Sequence, residues 1–184
     1  MPPKPRYTRE EILKAALELV RKQGAERLTA RDLAEVLGTS ARPIFTAFRN
    51  MEELREAVEK EAWQLYNGYR ERELAEEKYP PFKAMGMAYI RFAAEEKNFF
   101  KLLFMQDRGS ERNERAAADI EAACRAAGIA REKAAIFHLE IWSAVHGFAV
   151  MLATGYYSVE MEMIAAMLSD LFMGLKHRHG GETE

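Results

Sequence analysis

The chain has 184 residues, 48% of them hydrophobic and 30% charged, with a net charge of −2, a composition that excludes wholesale disorder and a fibrous repeat. Its single cysteine, Cys124, excludes an intramolecular disulfide and a cysteine-built metal cage, fits a reducing compartment, and reads as a small buried apolar residue. No apolar run approaches the roughly 20 residues needed to cross a bilayer, and the N-terminus lacks the apolar stretch of a secretory signal, so the expectation is a cytoplasmic protein with no membrane partner.

Thr8 and Glu11 are spaced as a capping box, and Ile12, Ala16, Leu19 and Val20 follow on one helical face, predicting a first helix that runs to about Gly24. Thr29 and Asp32 repeat the signature ahead of Leu33, Ala34 and Leu37, and Gly38 suits a left-handed stop. A third helix, from Ser40 to Arg49, has Thr39 and Ser40 as candidate caps, carries Ile44, Phe45 and Phe48, and tolerates Pro43 in its first turn. Asn50 and Glu53 open a long fourth helix with Leu54, Val58, Leu65 and Tyr69 along one side, ending before Tyr79-Pro80-Pro81.

Two segments follow, Phe82 to Glu96 and the aromatic-rich Asn98 to Met105, then a polar loop at Asp107-Arg108-Gly109-Ser110 and a helix from about Glu111 to Ala127. Gly128 closes that helix. Arg131 to about Thr154 reads as an apolar core helix with His138 and His146 as polar interior residues. Gly155-Tyr156-Tyr157-Ser158 provides a turn and a new cap, and Met161, Ile164, Ala165, Leu168, Leu171, Phe172 and Leu175 mark a last apolar face, with fraying expected from His177 onward. No segment alternates with period two, so the expected fold is all-α, with about nine helices.

The spacing of the second and third helices about Gly38-Thr39 is that of a helix-turn-helix, in which the second helix enters the major groove and the first crosses the backbone. The charge is divided accordingly: residues 1–50 carry 10 Lys and Arg against 6 Asp and Glu, and the remainder 17 against 23, a basic head on an acidic body. Thr39, Ser40, Ala41 and Arg42 offer three hydrogen-bonding side chains and a methyl at the leading turn, with Arg42 the foremost base-contact candidate and Thr46 and Arg49 further along. Thr29 has two readings, helix cap and phosphate contact. Phe48 reads as core, and Phe45 either as core or as a DNA contact.

The ordered run Thr8-Arg9-Glu10-Glu11-Ile12-Leu13-Lys14-Ala15-Ala16, Gly24, Leu28-Thr29-Ala30-Arg31-Asp32-Leu33-Ala34, Gly38-Thr39-Ser40, Ile44-Phe45, Phe48 and Glu53-Leu54 resembles the TetR-family DNA-binding domain, without gaps from residue 6 to 58. Two positions depart from that family's pattern: Phe45 stands where tyrosine is usual and Met51 where lysine is usual, both commonly phosphate contacts. Arg49, Asn50, Lys4 and Arg6 are the candidate replacements. The stretch Trp142-Ser143-Ala144-Val145-His146-Gly147-Phe148 resembles the Trp-x-x-x-His-Gly pattern of one TetR C-terminal subgroup.

The resemblance implies a helix-turn-helix domain over residues 1–50 and a C-terminal ligand-binding and dimerisation domain over 51–184. It further implies a homodimer that binds palindromic double-stranded operator DNA, usually as a repressor, and is released by a small effector. Tyr89, Phe92, Phe100, Trp142 and His146 are the candidate ligand-lining set for an apolar or aromatic effector, against the alternative that they are plain core. No metal-type partner sits four residues from His146, no Gly-rich phosphate loop or paired nucleophile and base occurs, and neither a metal, a cofactor nor an enzymatic activity is expected. The alternative function is a protein-interaction adaptor that keeps this shape without reading DNA.

Overall fold

The computed structural model describes residues 7–106 and 128–179. Among them are eight α-helices, one 3-10 turn and no strand: α1 (Arg9–Gln23), the 3-10 turn (Ala25–Arg27), α2 (Ala30–Val36), α3 (Arg42–Ala47), α4 (Met51–Ala75), α5 (Pro81–Glu95), α6 (Lys97–Phe104), α7 (Arg131–Thr154) and α8 (Met161–His179). The all-α expectation holds. The helix expected from Glu111 to Ala127, the loop Asp107–Ser110, Cys124, Lys4 and Arg6 lie outside the described residues.

The chain divides into two compact units. The first takes its described residues from Met1–Asn67 and Glu96–Gln106, the second from Gly68–Glu95 and Asp107–Glu184, so the division falls within α4 and places α6 with the head. In the head, Ile12, Ala16, Leu19 and Val20 of α1 are buried with Leu33, Ile44, Phe48, Leu54 and Val58, which supply the apolar area that drives three short helices and the start of α4 together. Arg21 fastens α6 to α1: its Nε donates to Glu96 Oε2 at 3.0 Å, and its carbonyl accepts from Asn98 Nδ2 at 2.9 Å.

In the second unit α5 packs against α7 and α8. Ala134, Phe137, Ile141, Val145 and Ala149 recur at three- and four-residue spacing and form the buried face of α7, while Ile164, Ala165, Leu168 and Leu175 do the same for α8. Glu73, near the end of α4, is 1% exposed and accepts from the Arg91 guanidinium on α5, which gives this carboxylate a charged partner where water cannot reach it.

Three expectations need correction here. The segment 132–154 is long and apolar enough, by length and composition, to cross a membrane, with a mean hydropathy of 1.4 over its most apolar window, 28% of which is buried. The polar side chains of Glu132, Lys133, Glu140 and the two histidines are interspersed widely enough that no unbroken apolar run announced it. The last helix starts at Met161, not beside Ser158: its first bond runs from Ile164 N–H to the Glu160 carbonyl at 3.1 Å, which makes Glu160 the cap position. Nor does the chain fray at His177. Helix α8 continues through His179 because Glu140 of α7 accepts from Arg178 and lies 2.7 Å from His179 Nε2, and Lys133 Nζ donates to the His179 carbonyl at 3.2 Å. Cationic groups in the last turn also complement the negative end of the helix.

Candidate nucleic-acid interface

The helix-turn-helix is assembled from local signals. The Thr29 hydroxyl accepts the Asp32 amide at 3.1 Å and so opens α2. At the other end Gly38, with φ +61°, donates to the Glu35 carbonyl at 3.0 Å, and Thr39 N–H reaches back to the Ala34 carbonyl at 3.0 Å. This paired arrangement is the Schellman stop, and its left-handed residue is best served by glycine. The chain then turns into α3.

That third helix is shorter than expected and is not capped by Thr39 or Ser40. It runs from Arg42 to Ala47, with Ala41 at the cap position and no side-chain cap bond. The helix opens one residue later than those two side chains could serve: the cap position falls on Ala41, which has no side-chain acceptor, and Pro43 in the first turn has no amide to donate. At its C-terminal side Phe48 is already extended, with φ −129° and ψ 135°, so Arg49 lies beyond the helix.

Burial sorts the α3 side chains. Ile44 is 0% and the following Phe48 1% exposed, whereas Arg42, Phe45 and Thr46 lie on the open side, with Arg49 just past the end. Arg9, on the first turn of α1, clamps this end of the unit. Its guanidinium lies 3.9 Å over the Phe48 ring, donates to the Ala47 carbonyl at 2.6 Å and pairs with Glu53 at 3.0 Å. Tyr7 OH donates to the Leu37 carbonyl at 2.5 Å, tying the chain ahead of α1 to the end of α2. Nothing in the spacing of the sequence announced these ties, because Arg9 and Ala47 are 38 residues apart.

Glu53 also joins the recognition turn to α4. It accepts the Arg49 backbone amide at 2.8 Å and Arg49 Nε at 3.2 Å, while its own amide is accepted by Asn50 Oδ1 at 2.8 Å. The Arg49 amide, then the Arg49 and Arg9 side chains, hold the Glu53 carboxyl below its ordinary pKa.

The expected DNA-contacting residues are therefore placed as follows. Arg42, Phe45, Thr46, Arg49 and Ser40 are exposed; Thr39 and Ala41 are half-buried at the leading turn. Thr46 Oγ1 donates to the Arg42 carbonyl at 3.0 Å, so its hydroxyl can still accept but its proton is committed. The Thr29 proton is likewise committed, to Asp32 Oδ2 at 2.9 Å, an arrangement that serves its capping role. Phe45 is 48% exposed, which removes it from the core. Asn50 caps α4 through its Oδ1, and Met51 is the first residue of that helix.

Of the five candidate ligand-lining residues, three form one cluster in the second unit. Tyr89 and Trp142 have ring centroids 5.0 Å apart, Trp142 stacks on His146 at 5.5 Å, and Tyr89 OH and His146 Nδ1 share a hydrogen bond of 2.9 Å. His138 extends the stack on the other side of Trp142, with centroids 6.5 Å apart and planes 11° from parallel. Phe92, on the same helix as Tyr89, faces Tyr69 at 5.4 Å and is fully buried. Phe100 belongs to the first unit, where it contacts Phe104 at 5.3 Å.

The model of bacterial regulatory proteins of the tetR family matches residues 12–58, the segment that holds most of α1 and all of the helix-turn-helix, and the model of the tetracyclin repressor-like C-terminal domain matches residues 82–172. The chain belongs to the TetR family. TetR-family membership makes it a transcriptional regulator with an N-terminal helix-turn-helix. Solved structures share the TetR-like fold. A protein of unknown function from Rhodococcus sp. RHA1 is 22% identical with a TM-score of 0.68, over 96% of this chain and 100% of that one. A TetR-like transcriptional regulator from the same organism is 15% identical with a TM-score of 0.69, over 93% and 97%. The superantigen pfit is 19% identical with a TM-score of 0.54, over 93% and 90%. No curated protein matches the chain.

Proposed function

We propose that this TetR-family regulator acts in the cytoplasm as a homodimeric repressor that holds an inverted-repeat operator and lets it go when a small effector binds. The observation that carries the reading is the sorting of α3: one face is spent on Ile44 and the Phe48 that follows, and the other presents Arg42, Phe45 and Thr46 beside an exposed Arg49. Arg42 supplies a fork that matches the O6 and N7 acceptors of guanine. Arg49 and the amides of the leading turn supply phosphate contacts, with Ser40, Thr39 and Ala41 at the point of closest approach and Thr29 behind them.

Dimerisation is supported by what α7 and α8 leave uncovered. Ile136, Leu139 and Trp142 are 46%, 54% and 36% exposed on α7, and Met163, Met167 and Met173 are 58%, 48% and 64% exposed on α8. Ile136 and Leu139 on α7 and the three methionines on α8 lie on the sides of their helices away from the buried faces, with Trp142 at the edge where α7 meets Tyr89 of α5. Two such stripes on adjacent helices of one unit suit a self-complementary four-helix contact, which a two-fold axis would pair with a palindromic site.

Release follows from α4, which passes unbroken from the helix-turn-helix unit into the second unit. An apolar or aromatic effector binding beside Tyr89, Trp142 and His146, with Phe92 of the same unit as further lining, would favour one setting of α4. If that setting spaces the two recognition helices wrongly for the operator, a coupling of about 1–3 kcal/mol weakens DNA binding about 5–150-fold. The protein's task is then binding and not turnover, and no cofactor enters it.

The test is selection from a pool of randomised duplex DNA by the purified full chain at moderate salt. Enrichment of an inverted repeat is expected. A pool that stays random over a range of salt would overturn the reading in favour of an adaptor that works through protein partners.

A further inference from the structure

On the proposed DNA-binding reading, we infer that Phe45 is a sequence-reading residue that recognises the 5-methyl group of thymine. Phe45 and Phe48 stand three residues apart and have opposite fates: Phe48 is 1% exposed under the Arg9 guanidinium, and Phe45 is 48% exposed on the open face of α3. An aromatic ring left in water forgoes the stabilisation that burial gives it, and on the face proposed to enter the major groove the duplex is what can cover it.

The chemistry of the ring narrows the occupant. Phenylalanine has no donor or acceptor, so it can bond neither a phosphate oxygen nor the nitrogen and oxygen atoms of the base edges. The apolar group that the unmodified major groove presents is the thymine C5-methyl, and contact with it distinguishes T from C in the same position. The neighbouring residue is consistent with this: Thr46 is also exposed, and with its hydroxyl proton turned onto the Arg42 carbonyl it has no proton left to donate to a base edge. The face thus combines one polar reader, Arg42, with an apolar patch one helical turn further on.

Spacing locates the base. Arg42 and Phe45 are separated by about 4.5 Å along the helix axis, at roughly 1.5 Å per residue. That rise compares with about 3.4 Å per base step. A guanine read by Arg42 should therefore have a thymine within one or two base pairs in each half-site.

The experiment uses the full chain and the inverted repeat obtained by selection. Each thymine is replaced in turn by deoxyuridine, which removes the methyl and keeps every pairing atom, and affinity is measured by fluorescence anisotropy. At one thymine per half-site the loss should be about fourfold, the value of one buried methyl, and about fifteenfold when both half-sites are changed. Phe45→Ala should bind the thymine and uracil duplexes equally, at or below the affinity of the wild type for the uracil form, with its thermal midpoint unchanged by circular dichroism. Uracil substitutions that are silent everywhere, or a Phe45→Ala protein that still distinguishes the two duplexes, would overturn the inference while leaving DNA binding intact. Failure to retain any duplex would overturn the DNA-binding reading itself, and this inference with it.

Discussion

Replacing Phe48 and Phe45 separately by alanine should give two sharply different proteins. Phe48 is 1% exposed and carries the Arg9 guanidinium 3.9 Å above its ring, so Phe48→Ala loses apolar burial, leaves a cavity and frees the cation. The core truncation costs about 3–5 kcal/mol. Loss of the cation–π contact adds about 0.5–1 kcal/mol, since Arg9 is partly in solvent. Against a total stability of roughly 5–15 kcal/mol, Phe48→Ala should be severely weakened or unfolded.

Phe45, by contrast, is 48% exposed and has no ring partner among the described contacts, so Phe45→Ala should change stability by no more than about 0.5 kcal/mol. Urea unfolding followed by circular dichroism, at one fixed chain concentration, measures both variants. With a urea slope of about 1–3 kcal/mol per molar, the Phe48→Ala midpoint should fall by about 1 M or more and the Phe45→Ala midpoint should stay within about 0.5 M. A Phe48→Ala midpoint near wild type, or a Phe45→Ala drop as large as that of Phe48→Ala, would refute the assignment of inner and outer faces to α3.

Thr29→Ala should lose about 1 kcal/mol by removing the α2 cap, and Thr29→Ser should restore most of it, as read by the same urea titration. Glu53 contributes stability through its charged form, because its pKa is lowered in the folded state by the Arg49 amide, then by the Arg49 and Arg9 side chains. The contribution is therefore fully present above the unfolded value of about 4.3 and is lost as pH falls through the lower folded value. Wild type should exceed Glu53→Gln in urea midpoint at neutral pH, and the two should converge in acid. Leu139→Glu places a charge on the α7 stripe where the side chain is 54% exposed, and it should convert the proposed dimer to a monomer in light scattering while leaving the circular dichroism spectrum unchanged.

What could be read directly from the residues was mostly local. Thr8 and Glu11 form the reciprocal capping box that their spacing announced, at 3.2 and 2.8 Å, because both partners lie in one turn. Gly38 makes the left-handed stop for the same reason. Thr39 and Ser40 misled as caps because the chain spends them in the turn: Thr39 N–H closes the Schellman stop of α2, and α3 opens only after Ala41, ahead of a Pro43 that has no amide. The Arg9 clamp was invisible since its partners are 38 and more residues away, and the final turn of α8 is held by Glu140 from across the helix pair.

The candidate interface was legible to the level of the helix and not of the bond. The spacing named Arg42, Phe45, Thr46 and Arg49, but the committed protons of Thr29 and Thr46 depend on rotamers that no pattern encodes. The ligand-lining residues were chosen for aromatic character in helical register. Register brought Tyr89, Trp142 and His146 into one cluster, whereas Phe100 lies with the head unit because α6 is fastened to α1 through Arg21.

The exposed face of α3 is proposed to meet DNA, and the most direct measurement of that is the affinity of the full chain for its selected inverted repeat as salt is raised. The predicted result is a straight fall of log affinity with log salt, with a slope of about −0.9 for each phosphate contacted, and a slope reduced by about one per half-site in Arg49→Ala. Affinity that does not depend on salt, or a slope untouched by the loss of Arg49, would contradict it.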